Sequence, residues 1–210
     1  MIEYPKIETL YDRDEHFRVI VGKWRLPEFE YLANDQWVWS EKVDGTNTRV
    51  IWDGRRVMFA GKTDDAQVPA SLLRQLRELF TEEGLSAVFS GPACLYGEGY
   101  GAKIQKGGGN YKRDGADFAL IDVLIDRWWL ERESLEDIAS KLHIIPVPII
   151  GRGTLQEATE VVRKGIASQW GPFQAEGIVL RPAVSLFTRK GERVMAKLKT
   201  KDFAGGRERG

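Results

Sequence analysis

The sequence predicts an α+β fold built mainly from antiparallel β-sheets with flanking helices. Two short apolar runs flank Asp53-Gly54, a dipeptide typical of a β-hairpin turn. Apolar residues recur at helical spacing over residues 69–82. Two further segments, at 176–181 and 193–199, predict a closing pair of strands. Because strands and helices do not alternate regularly, this order favours α+β over a doubly wound fold.

The individual elements follow from local patterns. The hairpin joins predicted strands at 48–52 and 56–60, with the two-residue turn signal Asp53-Gly54 between them. The helix over 69–82 has Pro69 near its start and Gly84 after its end. Two apolar runs predict further strands: 93–98 and 117–125. Two motifs resemble capping boxes and predict helices near 135–142 and 155–167: Ser134-x-x-Asp137 and Thr154-x-x-Glu157.

Length and composition limit the class of protein. The 210 residues fit a single domain over 1–210, with 42% hydrophobic and 30% charged residues. No apolar run reaches membrane-spanning length, and the N-terminus has no signal-peptide pattern. Cys94 is the one cysteine, which excludes an internal disulfide and a multi-cysteine zinc site. We therefore expect a cytoplasmic protein. Its net charge is zero, so any nucleic acid must bind a local basic patch.

Lys42 is the first candidate for chemistry. It follows the apolar run Trp37-Val38-Trp39 and opens the segment Lys42-Val-Asp-Gly-Thr-Asn47. At the ordinary lysine pKa, only about one molecule in two thousand carries a neutral amine at pH 7. Partial burial or a nearby cation lowers that pKa and makes the amine a nucleophile. A lone motif of this kind is more often a surface turn, so other segments must support the interpretation.

Other predicted strands carry polar residues that could support Lys42. Four of these strands supply two carboxylates, an aromatic with a third acid, and two lysines: Glu98, Glu176, Phe118 with Asp122, and Lys197 with Lys199. Phe118 and Asp122 lie four apart and are therefore expected on one face of their strand. Lys197 and Lys199 share a face for the same reason. Together they supply a nucleophile, metal-binding carboxylates, a platform for a base and cations for phosphates. That set suits nucleotidyl transfer, in which positioning and charge neutralisation dominate.

These segments resemble the motifs of the covalent nucleotidyltransferases, the superfamily of ATP-dependent ligases and mRNA capping enzymes. They occur in the family's order between residues 37 and 203. The closest resemblance is to the RNA ligases of phages and of kinetoplastid RNA editing. RNA ligases commonly have Asn five residues after the nucleophile, as at Asn47, where DNA ligases and capping enzymes commonly have Arg. The resemblance implies an ATP-grasp-like adenylation domain. Because only eleven residues follow Lys199, we expect no separate C-terminal domain of the kind that many ligases carry.

The resemblance also implies roles for single residues. Lys42 would attack the α-phosphate of ATP and hold AMP as a phosphoramidate, with Mg²⁺ or Mn²⁺ as cofactor. Glu98 would contact the ribose, Phe118 would stack on the adenine, and Glu176 would help to hold the metal. Two further lysines would contact the α-phosphate: Lys197 and Lys199. Asn47 would act in the later steps, in which AMP moves to a 5′-phosphate and a 3′-hydroxyl displaces it.

Two positions carry weaker expectations. Glu41, next to the nucleophile, would border the adenine. Lys62 stands where related RNA ligases commonly have an arginine that contacts phosphate. Lysine keeps the charge but loses the bidentate fork, so phosphate orientation there would be looser.

The expected partners are RNA ends, with DNA as an alternative. Two basic stretches would either grip a nucleic acid or form solvated surface: Lys103, Lys106, Lys112 and Arg113 around Gly107-Gly108-Gly109, and the lysines and arginines of 185–203. A small DNA ligase or a ligase of RNA/DNA hybrids is the nearest rival function. A non-catalytic nucleotide- or RNA-binding module is the alternative of another class.

Overall fold

The computed structural model describes residues 3–203 of the chain. Contacts divide the chain into two compact units. Unit 1 comprises Met1–Tyr4 and Asp44–Val147, and unit 2 comprises Pro5–Val43 and Pro148–Gly210. The single adenylyltransferase domain expected over 1–210 stays a prediction, because compactness alone does not define a functional domain.

Strands outnumber helices over residues 3–203. The strands are β1 (Glu8–Thr9), β2 (Tyr11–Arg13), β3 (Val19–Trp24), β4 (Trp37–Lys42), β5 (Thr46–Trp52), β6 (Val57–Ala60), β7 (Ala93–Gly101), β8 (Ala116–Ile125), β9 (Trp128–Trp129), β10 (Ile145–Pro146), β11 (Ile149–Gly153), β12 (Gly177–Pro182) and β13 (Ala196–Lys199). The helices are α1 (Pro27–Tyr31), α2 (Ala70–Leu79), α3 (Glu82–Val88), α4 (Gly108–Tyr111), α5 (Arg132–Lys141) and α6 (Leu155–Lys164), followed by a 3-10 turn at Thr200–Phe203.

Unit 1 is a sheet with helices packed on one face. Its strands lie in the order β10-β8-β7-β5-β6, with β9 paired to β8. All pairs are antiparallel except β10 with β8. Buried side chains of β5, β7 and β8 form a core with those of α2, α3 and α5. We call this side of the sheet the core face of unit 1, and the other side its polar face.

Unit 2 has a sheet of order β1-β13-β12-β4-β11 and a two-stranded sheet of β2 and β3. The pairs around β4 and β12 are antiparallel, and β1 with β13 is parallel. Trp37 and Trp39 of β4 and Ile178 and Leu180 of β12 pack with the buried face of α6. The mainly antiparallel α+β class predicted from the sequence is confirmed. Among residues 3–203, no helix is long and apolar enough to cross a membrane.

Several predicted elements are confirmed and others differ in detail from the prediction. The capping box at Thr154 opens α6, because its hydroxyl accepts from the Glu157 N–H and the Glu157 carboxylate accepts from the Thr154 N–H. The hairpin of β5 and β6 is present, but four residues connect Trp52 to its partner Val57. The Asp53 carboxylate accepts two backbone N–H groups in this turn, which explains the longer loop.

The helix predicted over 69–82 is two helices. The first, α2, ends at Leu79, and Thr81 caps the second, α3, by accepting from the Gly84 N–H. Gly84 therefore lies inside a helix and does not end one. Ser134 also lies inside a helix, because α5 begins at Arg132, so its predicted capping box is wrong.

A β-bulge overturns the expected common face of Phe118 and Asp122. In the pairing of β7 with β8, Tyr96 lies opposite Asp122 but Gly97 lies opposite Leu120. The extra residue in β8 shifts the alternation of side chains by one position. Phe118 consequently lies on the core face with Phe80, while Asp122 lies on the polar face with Tyr96.

Candidate functional site

Three charged side chains of unit 2 form one ion-pair cluster. Lys42 Nζ lies 2.6 Å from Glu176 Oε2, and Lys199 Nζ lies 2.6 Å from Glu176 Oε1. Each carboxylate oxygen thus accepts from a different ammonium group. The side chains are 18–24% exposed, so they are partly shielded from water without being sealed from it. We call Lys42, Glu176 and Lys199 the lysine–glutamate cluster.

The strand register explains how distant residues meet in this cluster. Gly177 of β12 lies opposite Lys42 of β4 on one side and Lys199 of β13 on the other. Directly opposed residues of antiparallel strands project on the same face of a sheet. Because Gly177 has no side chain, the middle of this row is clear for the two lysines to reach Glu176, the residue before it.

The two lysines also determine the charge state of Glu176. Burial raises the pKa of its carboxyl group, but the charges of Lys42 and Lys199 and their hydrogen bonds outweigh burial, so the net pKa lies below its ordinary value. Glu176 is therefore a carboxylate at neutral pH. Its charge is available to offset a cation at this position.

The same sheet face carries two more cations. Lys197 lies opposite Val179, one row from the cluster, and shares the face of Lys199, as predicted. Arg181 follows Val179 by two residues on β12 and therefore lies on that face too. Alternation along β12 already indicates this face for Arg181, although we assigned it no role from the sequence. An anionic substrate would meet four basic side chains here: Lys42, Arg181, Lys197 and Lys199.

Glu41 projects from the other face of β4. Its side chain is 1% exposed, and its carboxylate accepts from the Ser168 hydroxyl at 2.6 Å and from the Gln169 backbone N–H at 2.8 Å. No sequence signal pointed to these partners, because they lie more than 120 residues away. The adenine-bordering role of Glu41 stays a prediction of the resemblance.

Unit 1 places Asn47 and Glu98 side by side on its polar face. They are opposed residues of β5 and β7. Glu98 is the one partly exposed residue of β7, and all the remaining residues of that strand are buried. The Oδ1 atom of Asn47 is buried and has no hydrogen-bond partner among residues 3–203. A buried acceptor left in this state is a position where a ligand donor would be stabilising.

Glycines fix the position of Glu98. A Cβ atom at Gly97 would overlap the Phe118 ring, and one at Gly99 would overlap Leu72. A Cβ at Gly45, in the turn after Lys42, would overlap the Gly99 carbonyl and the Glu98 side chain. The segment Tyr96-Gly-Glu-Gly and the turn Asp44-Gly45 thus require glycine for close packing.

Phe118 is not placed to stack on a base. Its side chain is 1% exposed and its ring packs edge-to-face on Phe80, with centroids 5.2 Å apart. It also lies on the core face, opposite to the face of Asn47 and Glu98. The β-bulge causes this placement, and we leave Phe118 out of the proposed site.

In unit 1, buried Arg49 holds the turn that carries Lys62. Lys62 is exposed in the loop after β6. Arg49, a residue to which we assigned no role, is fully buried on the polar face, where its Nε donates to the Gly61 carbonyl at 2.8 Å and its Nη2 to Asp64 at 2.7 Å. Arg49 therefore holds both ends of the turn that carries Lys62.

The glycine-rich segment is packed on the rest of unit 1. The Asp44 carboxylate accepts from the Gly107 N–H at 2.9 Å, and a Cβ at Gly108 would overlap the Gly101 carbonyl. Lys112 of this region pairs with Asp117 at 2.8 Å. The acid of the Lys42-Val-Asp-Gly motif thus anchors the glycine-rich loop.

Potential metal ligands are not clustered within residues 3–203. Within residues 3–203, no group of three or more His, Cys, Asp or Glu side chains could hold a metal ion. The lysine–glutamate cluster offers one carboxylate, Glu176. One carboxylate suits a Mg²⁺-type cation that takes its remaining ligands from water and from phosphates.

Comparisons with known proteins establish the fold and the family of the chain. A comparison with curated proteins returns no match. Among solved structures, a variant of Naegleria gruberi RNA ligase with ATP and Mn is 19% identical over 97% of this chain, with a TM-score of 0.68. A variant of that ligase with AMP and Mn has the same identity, coverage and TM-score, and the ligase with pyrophosphate is 18% identical over 98% of this chain, with a TM-score of 0.67.

The chain spans 59% of the length of the first two of these chains and 64% of the third, and likeness at this identity establishes the fold. The RNA ligase family model matches residues 35–199, which include the lysine–glutamate cluster, Asn47 and Glu98. The chain therefore belongs to the RNA ligase family.

Proposed function

We propose that this protein is an ATP-dependent RNA ligase that self-adenylates on Lys42. AMP then passes to a 5′-phosphate at an RNA end, and a 3′-hydroxyl displaces it to seal the two ends. The lysine–glutamate cluster is the observation that carries the proposal, since it joins an amine, a carboxylate and a second cation within hydrogen-bond distance. Membership of the RNA ligase family supports it.

Lys42 must lose a proton before it can act. Its ammonium group donates to Glu176 in the structure. In the proposed step the Lys42 ammonium group gives a proton to water, which reaches this partly exposed side chain. The neutral Nζ then attacks the α-phosphorus of ATP: the N–P bond forms, the bond to the bridging oxygen breaks, pyrophosphate leaves, and the nitrogen gives its second proton to water as the phosphoramidate forms. Lys199 and Lys197 would stabilise the charge that develops on the phosphate oxygens. Once Lys42 is neutral, its bond to Glu176 weakens and the carboxylate is released for another cation.

A divalent cation fits this site through Glu176. Mg²⁺ or Mn²⁺ would neutralise phosphate charge, and Glu176 is the residue that would help to hold it. The pKa of Glu176 lies below its ordinary value, so the carboxylate is ionised and able to do so at neutral pH.

Unit 1 would supply residues for recognition. Glu98 is proposed to contact the ribose, and Asn47 to act when AMP is transferred and the ends are joined. The buried Oδ1 of Asn47 and the partial exposure of Glu98 support these roles. Lys62 is proposed to contact phosphate from the turn that Arg49 holds.

Intact-mass spectrometry of the purified chain tests the first step. ATP with Mg²⁺ or Mn²⁺ should add one AMP, and pyrophosphate should remove it. Lys42→Ala should form no adduct, whereas Lys190→Ala, which removes an exposed lysine, should react like the wild type. If the folded wild-type chain carries no AMP at the start and forms no adduct with either metal, the result would favour a non-catalytic nucleotide- or RNA-binding module over a ligase.

Substrate choice needs a second experiment. Adenylated protein should be offered 5′-phosphate and 3′-hydroxyl ends in nicked duplexes of RNA, of DNA and of RNA/DNA hybrid. Faster sealing of the RNA nick would support the proposal, and faster sealing of DNA or hybrid ends would favour the rival ligase. The cytoplasm remains the predicted place of action.

A further inference from the structure

Glu41 is a buried carboxylate beside the nucleophile. Residues of β4 alternate between the two faces of its sheet. Lys42 therefore projects to the face that carries Lys197 and Lys199, while Glu41 lies on the face of Trp37 and Trp39. Its side chain is 1% exposed. Burying a carboxylate costs several kcal/mol or more unless hydrogen bonds replace those to water. The groups that provide these bonds are therefore held firmly.

Both groups belong to one loop, residues 166–175. The Ser168 hydroxyl donates to Oε1 of Glu41 at 2.6 Å, and the Gln169 N–H donates to Oε2 at 2.8 Å. The Trp170 N–H in turn donates to the Ser168 hydroxyl at 3.1 Å. The loop closes on itself, because the Ala175 N–H donates to the Ile166 carbonyl at 2.9 Å.

The same loop leads directly into Glu176. The Glu176 carboxylate pairs with Lys42, and its backbone carbonyl accepts from the Thr200 N–H at 2.9 Å. Two consecutive residues of β4 thus hold the two ends of one loop. Glu41 holds its beginning at 168–169, and Lys42 holds its exit at Glu176.

We propose that Glu41 is a positioning residue that sets the place of Glu176, and through it of the Lys42 amine, by clamping loop 166–175. This inference rests on the proposed adenylation of Lys42. It gives Glu41 a role that differs from bordering the adenine, since both carboxylate oxygens already accept hydrogen bonds from the loop. Small displacements of reacting groups cost rate, about 10²-fold for 1 Å.

Three variants test the clamp: Glu41→Ala, Ser168→Ala and the double variant. Each single variant should slow AMP-adduct formation at saturating ATP by about ten- to a hundredfold. The ATP concentration for half-maximal rate and the preference for ATP over GTP should stay as in the wild type. The double variant should be no slower than the worse single variant, because both changes open the same clamp. Glu41→Gln, which keeps an acceptor for the Gln169 N–H, should restore most of the rate.

Amide hydrogen exchange provides a readout that does not depend on activity. Exchange over residues 166–176 should be faster in Glu41→Ala and Ser168→Ala than in the wild type. Tyr11→Phe is the matched control, because it removes another buried hydrogen bond of the same unit, Tyr11–Thr159, and leaves both hydrogen bonds of Glu41 to the loop in place. It should change neither the adduct rate nor the exchange of 166–176.

Three outcomes would overturn the inference. The first is a loss of ATP-over-GTP preference in Glu41→Ala that Ser168→Ala does not share, which would make Glu41 a direct contact of the base. The second is that both single variants, Glu41→Ala and Ser168→Ala, keep the wild-type exchange of the loop or the wild-type rate of adduct formation. The third is a wild-type protein that forms no adduct, which overturns the proposed function with it, whereas the first two leave self-adenylation intact.

Discussion

The two units position their polar side chains by different physical means. In unit 2, Lys42 and Lys199 are held by attraction to one carboxylate, Glu176. In unit 1, Glu98 is held by packing, because three glycines around it leave no room for a Cβ atom. The difference teaches where each unit is sensitive. A change of charge without a change of shape should damage unit 2, and one added methyl group should damage unit 1.

The largest effect is expected for Glu176→Gln, which keeps the shape and removes the charge. Two ammonium groups would then face each other without a counterion, and adenylation of Lys42 should slow by about 10²-fold or more. Single-turnover formation of the AMP adduct measures this. Glu160→Gln, at a half-exposed site on α6, is the control and should react at the wild-type rate. A loss of less than about threefold in Glu176→Gln would break the electrostatic half of the comparison.

Gly97→Ala tests the packing half. The added methyl group would overlap the Phe118 ring, so the free energy of unfolding should fall by about 1–3 kcal/mol. Urea denaturation measures the change. Gly91→Ala is the matched control, because a Cβ there meets no atom within 4 Å. Equal stabilities of the two variants would show that the Phe118 ring yields easily and that packing does not fix Glu98.

A smaller and more selective effect is expected for Asn47→Ala. Its buried Oδ1 is proposed to serve the later steps, so sealing should slow by about tenfold, the equivalent of one hydrogen bond to a ligand, while adenylation is spared. Separate assays of adduct formation and of nick sealing measure the two steps. Asn34→Ala removes an exposed asparagine and should affect neither. Equal loss in all steps would contradict the late role.

The smallest effect concerns pH and the stability of the nucleotide-free chain. The pKa of Glu176 is lower in the folded protein than its ordinary value of 4.5. Ionised Glu176 therefore stabilises the fold above pH 4.5, and this stabilisation is lost as the pH falls through the pKa of the folded protein. The wild type should exceed Glu176→Gln in free energy of unfolding by about 1 kcal/mol at pH 7. The gap should close in acid. A gap that stays constant from pH 7 to about pH 3 would contradict this sign.

Local patterns in the sequence predicted the fold class and most of the unit 2 site. Alternation along β13 placed Lys197 and Lys199 on one face, and the Thr154 capping box opened α6 as predicted. The same alternation failed for Phe118, since one inserted residue in β8 reversed its face. A bulge is set by the pairing with β7 and leaves no clear mark in the sequence of β8 itself.

Long-range hydrogen bonds were beyond sequence reasoning for a different reason. Glu41 is joined to a loop 127 residues away, and Asp44 to one 63 residues away. Both acids flank Lys42 in a motif that predicted chemistry, yet in the structure each anchors a loop. Residue type and spacing identified the motif as a unit, but the tertiary fold decides which of its members are exposed to a substrate.

The two units are completed at different times as the chain is synthesised. Unit 1 comes mainly from one continuous stretch, Asp44–Val147, whereas unit 2 is assembled from the segments before and after it. A ribosome makes β4 with Lys42 early, but the partner Glu176 follows 134 residues later. Unit 1 can therefore pack its core while Lys42, the proposed nucleophile, still lacks its counterion. Any chain released before residue 176 would carry Lys42 without the carboxylate that pairs with it.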